Sequence, residues 1–319
     1  LSKLSLSDFT DGIIASHETR FNKEEKTQFL EYAKQRFMDL GYNDSDILIQ
    51  KSFFGGRNLI IGSPDANIII TAHYDTPARN GRIALPFFNI FGMKLSSVLS
   101  LVYMIPLLYF LHLPSIFAQN FRFGVAIEFY IRNLWIFLFL AALMLFRNKH
   151  NHNDNTSGCV GVYGLATLIS ENPELKSKCA FILFDNEEKG LFGSIAYASW
   201  RKRNYPGKSD FRVYNLDCIG VGDILLIAAK QNSPAWKLLP ELSEFFESSG
   251  INTVHRTSNV FGFMGDHASF DWGVVFTFVK NAKLTGLYIP NIHTSKDTVL
   301  NIEPIEYLCA TIFTFISEQ

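Results

Sequence analysis

The stretch Cys179-Ala-Phe-Ile-Leu-Phe-Asp-Asn-Glu-Glu-Lys-Gly-Leu-Phe-Gly-Ser194 decides the reading of the chain. An apolar run of strand length brings two adjacent carboxylates, Glu187 and Glu188, to its C-terminal end, and Gly190 and Gly193 then turn the chain into a helix. Neighbouring carboxylates raise each other's pKa because their like charges repel. A Glu-Glu pair held at a strand end therefore predicts a cation nearby, against the plainer alternative of a solvated acidic loop.

Working outward, several other strands end in the same way. Asn67-Ile-Ile-Ile-Thr-Ala-His73 is a continuous β-branched run, expected to be buried on both faces at the centre of an α/β sheet, and it leads into His73-Tyr74-Asp75-Thr76-Pro77. Residues i and i+2 of an extended chain share a face, so Asp75 is placed to fix one nitrogen of His73 while the other binds a metal. Phe211–Gly220 predicts a strand that delivers Asp217, and Asn153-Asp154-Asn155-Thr156-Ser157-Gly158 a polar turn in which Ser157 caps the following helix. Gly265-Asp266-His267 is a second polar turn, and Asn291-Ile-His293-Thr-Ser-Lys-Asp297-Thr298 a third. Lys23–Leu40 reads as an amphipathic helix with Phe29, Leu30, Ala33, Phe37 and Leu40 on its core face and Gly41 as its stop. The expected fold is α/β, with a mixed, mainly parallel central sheet and helices on both faces.

The chain has 319 residues, a net charge of −1 and a mean hydropathy of +0.10. The charge balance speaks against a nucleic-acid partner, which calls for a clearly basic surface. Four widely spaced cysteines read as reduced core residues rather than a disulfide framework. Leu1–Thr10 mixes polar and apolar residues and carries no visible secretory signal.

His73, Glu188, Asp217 and His293 fall at predicted strand ends or in the loops beyond them, the edge where open α/β sheets bind ligands, and Asp154 sits in a turn before a helix. Two imidazoles and several carboxylates are the donor set of zinc or a related divalent metal. One ligand more than a tetrahedral site needs suggests two ions sharing a bridging carboxylate.

The ordered motifs His-x-Asp, Asn-Asp-Asn-x-Ser-Gly, Glu-Glu-x-Gly-Leu-x-Gly-Ser, Asn-Leu-Asp-x-Ile-Gly and Ile-His-Thr-x-x-Asp-Thr resemble those of the zinc aminopeptidases of metallopeptidase family M28. The resemblance implies that His73 and Asp217 hold one zinc, that Glu188 and His293 hold the other, and that Asp154 bridges them. Asp75 would orient His73, and Glu187 would be the general base. Asp266 and His267 match a turn on the substrate side. The implied reaction is hydrolysis of an amide next to a free α-amine in a peptide. A glutaminyl-cyclase-like enzyme with a single zinc and a non-catalytic binding module on the same fold are the alternatives, and the complete ligand set favours the peptidase.

Residues 87–147 depart from that pattern and divide the α/β domain into 1–86 and 148–319. No charge occurs from Leu95 to Phe121, a length sufficient for a ~30 Å hydrocarbon core, although Pro106 and Pro114 interrupt it. In Gly124–Phe146, Glu128 and Arg132 stand four residues apart and so meet on one helical face. The expectation is a transmembrane helical hairpin, with an apolar lid or dimerisation arm as the alternative. Arg82, Lys94, Arg147 and Lys149 flank its outer ends, which places those ends and the catalytic domain on the cytoplasmic side of a membrane.

Overall fold

The computed structural model describes residues 3–78, 99, 102, 147–208, 210–258, 263–283 and 286–318. Helices α1 (Lys3–Ser16) and α2 (Lys23–Asp39) precede strands β1 (Ile47–Lys51), β2 (Arg57–Gly62) and β3 (Ile68–His73). From residue 147 the chain enters a wide helical turn (His152–Ser157), then α3 (Gly158–Ser170), α4 (Pro173–Lys178), β4 (Cys179–Phe184) and α5 (Phe192–Asn204). Next come β5 (Arg212–Leu216), β6 (Ile224–Lys230), α6 (Pro234–Ser248), β7 (Thr253–Ser258), β8 (Gly273–Ala282), β9 (Gly286–Tyr288) and α7 (Ile302–Ser317).

The strands form one mixed sheet in the order β1-β2-β4-β3-β5-β8-β6-β7, with β9 on β8. Its centre, β4-β3-β5-β8, is parallel, as is the edge pair β6-β7, whereas β1-β2, β2-β4 and β8-β6 are antiparallel. The register pairs His73 with Phe184 on β4 and Thr71 with Asn215 on β5. The three central strands therefore end level with one another, and the loops that leave them meet at a single edge.

The larger core packs α1, α2, α3, α6 and α7 against one face of the sheet through Phe9, Phe29, Phe37, Phe181, Leu216 and Phe276. Tyr197 of α5 covers the other face with Ile60, Ile69, Ile182 and Val213. Helices on both faces explain why β3 and β4 are buried at every position. In α2, Asn22 and Glu25 form a reciprocal cap, and Phe29, Leu30, Ala33 and Phe37 are buried as their spacing predicts, while Leu40 is half-buried against the core. The four cysteines are free and buried. Helix α1 is not singled out by the sequence reading, yet its Leu6, Phe9 and Ile13, at helical spacing, are fully buried.

The apolar hairpin expected at 87–147 lies outside the described residues, apart from 99, 102 and 147. Among the described residues no helix is long and apolar enough to cross a membrane. Ala78 and Arg147 form an antiparallel bridge, and Asn148 N–H donates to the Pro77 carbonyl at 3.0 Å. The two flanks of the segment thus leave the domain side by side.

Candidate metal centre

His73 ends β3, Glu187 and Glu188 follow β4, and Asp217 follows β5, so three adjacent parallel strands supply four of the expected groups. Asp154 enters from the wide turn before α3, and His293 from the loop before α7, where its φ is +56°. Asp154 Oδ1 lies 3.3 Å from His73 Nε2, which is also 3.7 Å from Asp217 Oδ1. Asp154 Oδ2 lies 3.0 Å from His293 Nε2, which is 3.2 Å from Glu188 Oε2. Each oxygen of Asp154 thus faces one imidazole nitrogen, and that same nitrogen lies near one further carboxylate. Cys218, buried beside Asp154 and Asp217, is a donor the sequence reading did not consider; burial, then those two carboxylates, raises its thiol well above the usual range, which keeps it protonated.

The donor set fits a divalent cation. His73 Nδ1 sits 3.1 Å from the Asp75 carbonyl oxygen, which can only accept, so Nδ1 carries a proton and Nε2 faces two carboxylates across a gap that a cation, proton or metal, must fill. Lone pairs converging on one point repel unless a positive charge lies between them. Glu188 Oε1 is buried with no hydrogen-bond partner among the described residues. Burial alone would lower both imidazoles, but Glu187, Asp154, Asp217 and Asp75 raise His73 well above its usual value, and Glu188 and Asp154 do the same to His293. Burial, opposed by His73 and reinforced by Glu188, Asp266 and Asp217, pushes Glu187 well above the usual carboxylate range. Such an excess of negative charge is what a metal offsets.

The Asp75 side chain differs from expectation. Its carboxylate stands 3.7 Å from His73 Nδ1 and instead accepts the backbone N–H groups of Glu187 (3.0 Å) and Glu188 (3.3 Å). The Asp75 carbonyl positions His73, and its side chain gathers the two-glutamate turn, because the chain leaves β3 at His73 and no longer alternates faces. Ser157 also departs from the predicted cap. Its own backbone is already helical, so its hydroxyl donates to the Asn153 carbonyl at 2.6 Å and accepts from Ile219 N–H at 2.9 Å.

Those contacts show what the Asn-Asp-Asn-x-Ser-Gly turn does. Asn153 Oδ1 accepts from Gly220 N–H, Asn155 Oδ1 accepts from Cys218 N–H, and Asn155 Nδ2 donates to the Leu216 carbonyl, so the turn grips the exit of β5 that carries Asp217. A Cβ on Gly158 would stand 2.3 Å from the Leu216 oxygen, and only glycine allows that approach. In the same way a Cβ on Gly193 would meet the Asp185 carbonyl at 2.3 Å, which lets α5 start directly beneath the glutamate turn.

Three positioning residues escape the sequence reading. Asp297 is buried and accepts from Asn153 N–H at 2.9 Å and Asp154 N–H at 3.0 Å. It lies inside the His-Thr-x-x-Asp motif, the one signal that pointed to it. Arg20 is fully buried and donates to the carbonyls of Tyr74 and His17 and to the Thr156 hydroxyl, tying β3 to the Asp154 turn. Lys26 of α2 donates to Asp185 and, at 2.9 Å, to Asn186 beneath the glutamates. A lone Arg in a polar connection and a lone Lys in the first turn of a helix carry no sequence mark of burial.

Asp266 and His267 are fully buried beside this centre, close to Asp217. His267 Nε2 is 2.8 Å from the Ser258 hydroxyl, and neither oxygen of Asp266 has a hydrogen-bond partner among the described residues. Burial, against the pull of His73, raises Asp266 to about 7, and burial lowers His267 to about 4.

A search of curated proteins returns no match. Among solved structures the chain is similar to the LapA aminopeptidase of Legionella pneumophila, with a TM-score of 0.62, 15% identity, and coverage of 98% of this chain and 68% of that one. It is also similar to a leucine aminopeptidase precursor from Bacteroides thetaiotaomicron (TM-score 0.61, 14% identity, 99% and 97% covered). A glutaminyl cyclase from Porphyromonas gingivalis gives a TM-score of 0.62 at 14% identity, with 100% and 98% covered. At these identities the likeness establishes the mixed α/β fold. The sequence model of peptidase family M28 matches residues 149–308, a span holding Asp154, Glu188, Asp217 and His293 and beginning just after the apolar segment. With half of its length inside that match, the chain belongs to peptidase family M28 and is a hydrolase of the metallopeptidase type.

Proposed function

We propose that the protein is a two-zinc aminopeptidase that removes N-terminal residues from peptides. The observation that carries this reading is the division of Asp154, one oxygen toward His73 Nε2, which also lies near Asp217, and the other toward His293 Nε2, which also lies near Glu188. His73 and Asp217 would hold one ion, His293 and Glu188 the second, and Asp154 both. When bound, the pair supplies a Lewis acid for the scissile carbonyl and acidifies a water molecule.

The chain's own groups do the rest. Glu187, whose backbone N–H is held by the Asp75 carboxylate, takes the proton of the attacking water and passes it to the departing amine. Asp266, whose two oxygens lack partners among the described residues, receives the substrate α-ammonium, and His267 backs that turn. The amine requirement is what restricts the enzyme to chain ends.

Glu187→Gln tests the assignment. Hydrolysis of aminoacyl amides should fall about 10²–10⁴-fold with the zinc content unchanged from that of the wild type. Activity near wild type would remove Glu187 from its role. One ion per chain, with cyclisation of N-terminal glutamine, would instead favour the glutaminyl-cyclase chemistry of the similar P. gingivalis structure.

The uncharged run Leu95–Phe121 and the basic residues flanking 87–147 support membrane association with the catalytic domain on the cytoplasmic side. Deleting 87–147 should release the protein from the membrane fraction, and retention there would refute the anchor.

A further inference from the structure

Apart from the metal centre, one other cluster among the described residues brings histidine nitrogens and a carboxylate together: Glu18, His150 and His152. Glu18 lies in the connection between α1 and α2, while the two histidines belong to the segment that leads into Asp154. His150 Nδ1 is 2.7 Å and His152 Nε2 2.9 Å from the same oxygen, Glu18 Oε1. All three side chains are half-buried, with exposures of 27%, 39% and 14% for Glu18, His150 and His152.

We propose that these residues form a separate site for a divalent transition-metal ion. Two imidazoles and one carboxylate are a set used for zinc with a fourth position left open, and imidazole equally suits cobalt, nickel and copper. Ligand distances of about 2.0–2.2 Å around a tetrahedral ion put donors ~3.3 Å apart. The 2.7 and 2.9 Å separations need to open by only about half an ångström to reach that spacing. The donors of the catalytic cluster, at 3.0–3.7 Å, fall in the same range. In the absence of an ion, each neutral imidazole donates its N–H to Glu18; on binding, the ion takes that nitrogen and the proton moves through solvent to the other nitrogen of the same ring.

The backbone around the cluster is already anchored, so little order is lost on binding. Asn151 Nδ2 donates to the Glu18 carbonyl at 3.2 Å, and His152 N–H donates to the Asp297 carbonyl at 3.2 Å. Arg20, two residues beyond Glu18, reaches Tyr74 and Thr156. An ion here would pin the α1–α2 connection to the strand of chain that supports Asp154, joining residues more than 130 positions apart.

The test uses Co²⁺ alone on the metal-stripped full chain, with bound ion counted by equilibrium dialysis and elemental analysis. His150→Ala and Glu18→Gln should each bind one Co²⁺ fewer per chain than wild type at the same free concentration. His293→Ala, altered in the catalytic cluster, should retain the ion at Glu18, so loss of the two sites is distinguishable. Equal Co²⁺ content in wild type, His150→Ala and Glu18→Gln would overturn the proposal. Should the variants not fold, carbethoxylation of wild type decides it: saturating Co²⁺ should protect His150 at least tenfold while exposed His255 reacts unchanged. Equal labelling of His150 with and without Co²⁺ would overturn it as well.

Discussion

Replacing Lys26 by methionine should destabilise the protein more than its place on a surface helix suggests. Lys26 and Asp185 have side-chain exposures of 7% and 2% and form an ion pair beneath the glutamate turn. Removing the ammonium leaves a buried carboxylate without its partner, a loss worth about 3–5 kcal/mol. Asp185 Oδ2 keeps the N–H of Arg57 at 2.9 Å, which places the expected cost at the lower end, about 3 kcal/mol. At about 2 °C per kcal/mol for an α/β domain of this size, Tm should fall by ~5–6 °C. Methionine fills nearly the same space, so a cavity contributes little. Differential scanning calorimetry of the metal-free protein reads the shift. Adding Asp185→Asn to Lys26→Met removes the orphaned charge while keeping an acceptor for Arg57, and part of the lost Tm should return. A shift below 2 °C for Lys26→Met, or a double variant no more stable than the single one, would refute the reasoning.

Two further perturbations concern the supports of the centre. Asp297→Ala removes the acceptor of Asn153 and Asp154 N–H; zinc affinity, measured by competition with a chromogenic chelator, should weaken about 10–100-fold, and unchanged affinity would show that the turn holds itself. His267 titrates at about 4 in the folded chain against 6.5 in the unfolded one, because it is buried as the neutral ring. Protons therefore favour the unfolded state: the contribution is complete above pH 6.5 and is lost as pH falls toward 4, by about 1.4 kcal/mol per unit. Urea unfolding from pH 7 to 4 should show a shallower decline for His267→Asn than for wild type, and parallel slopes would contradict the neutral buried histidine.

Much of the site is legible in the sequence because β-strand ends concentrate it. Continuous apolar runs mark β3 and β4 as buried on both faces, and carboxylates or a histidine directly after such runs have no packing reason to be there. Local pattern is silent where the contact is long-range. Arg20 and Lys26 look like ordinary solvated residues until α1 and α2 fold back onto the sheet. Asp75 and Ser157 sit where expected but bond differently, since the chain has left β3 before it reaches Asp75 and has already become helical at Ser157. Asp297 supports the centre through backbone N–H groups, which leave no imprint on residue type.

The proposed activity rests on a metal-dependent aminopeptidase centre built from His73, Asp154, Glu188, Asp217 and His293. The most direct measurement is hydrolysis of a panel of aminoacyl chromogenic amides by the full chain before chelation, after chelation, and after zinc is returned. Cleavage of substrates with a free α-amine, lost on chelation and restored by zinc, is the predicted result. Cleavage that survives removal of the metal, or that is equally fast when the α-amine is blocked, would contradict it.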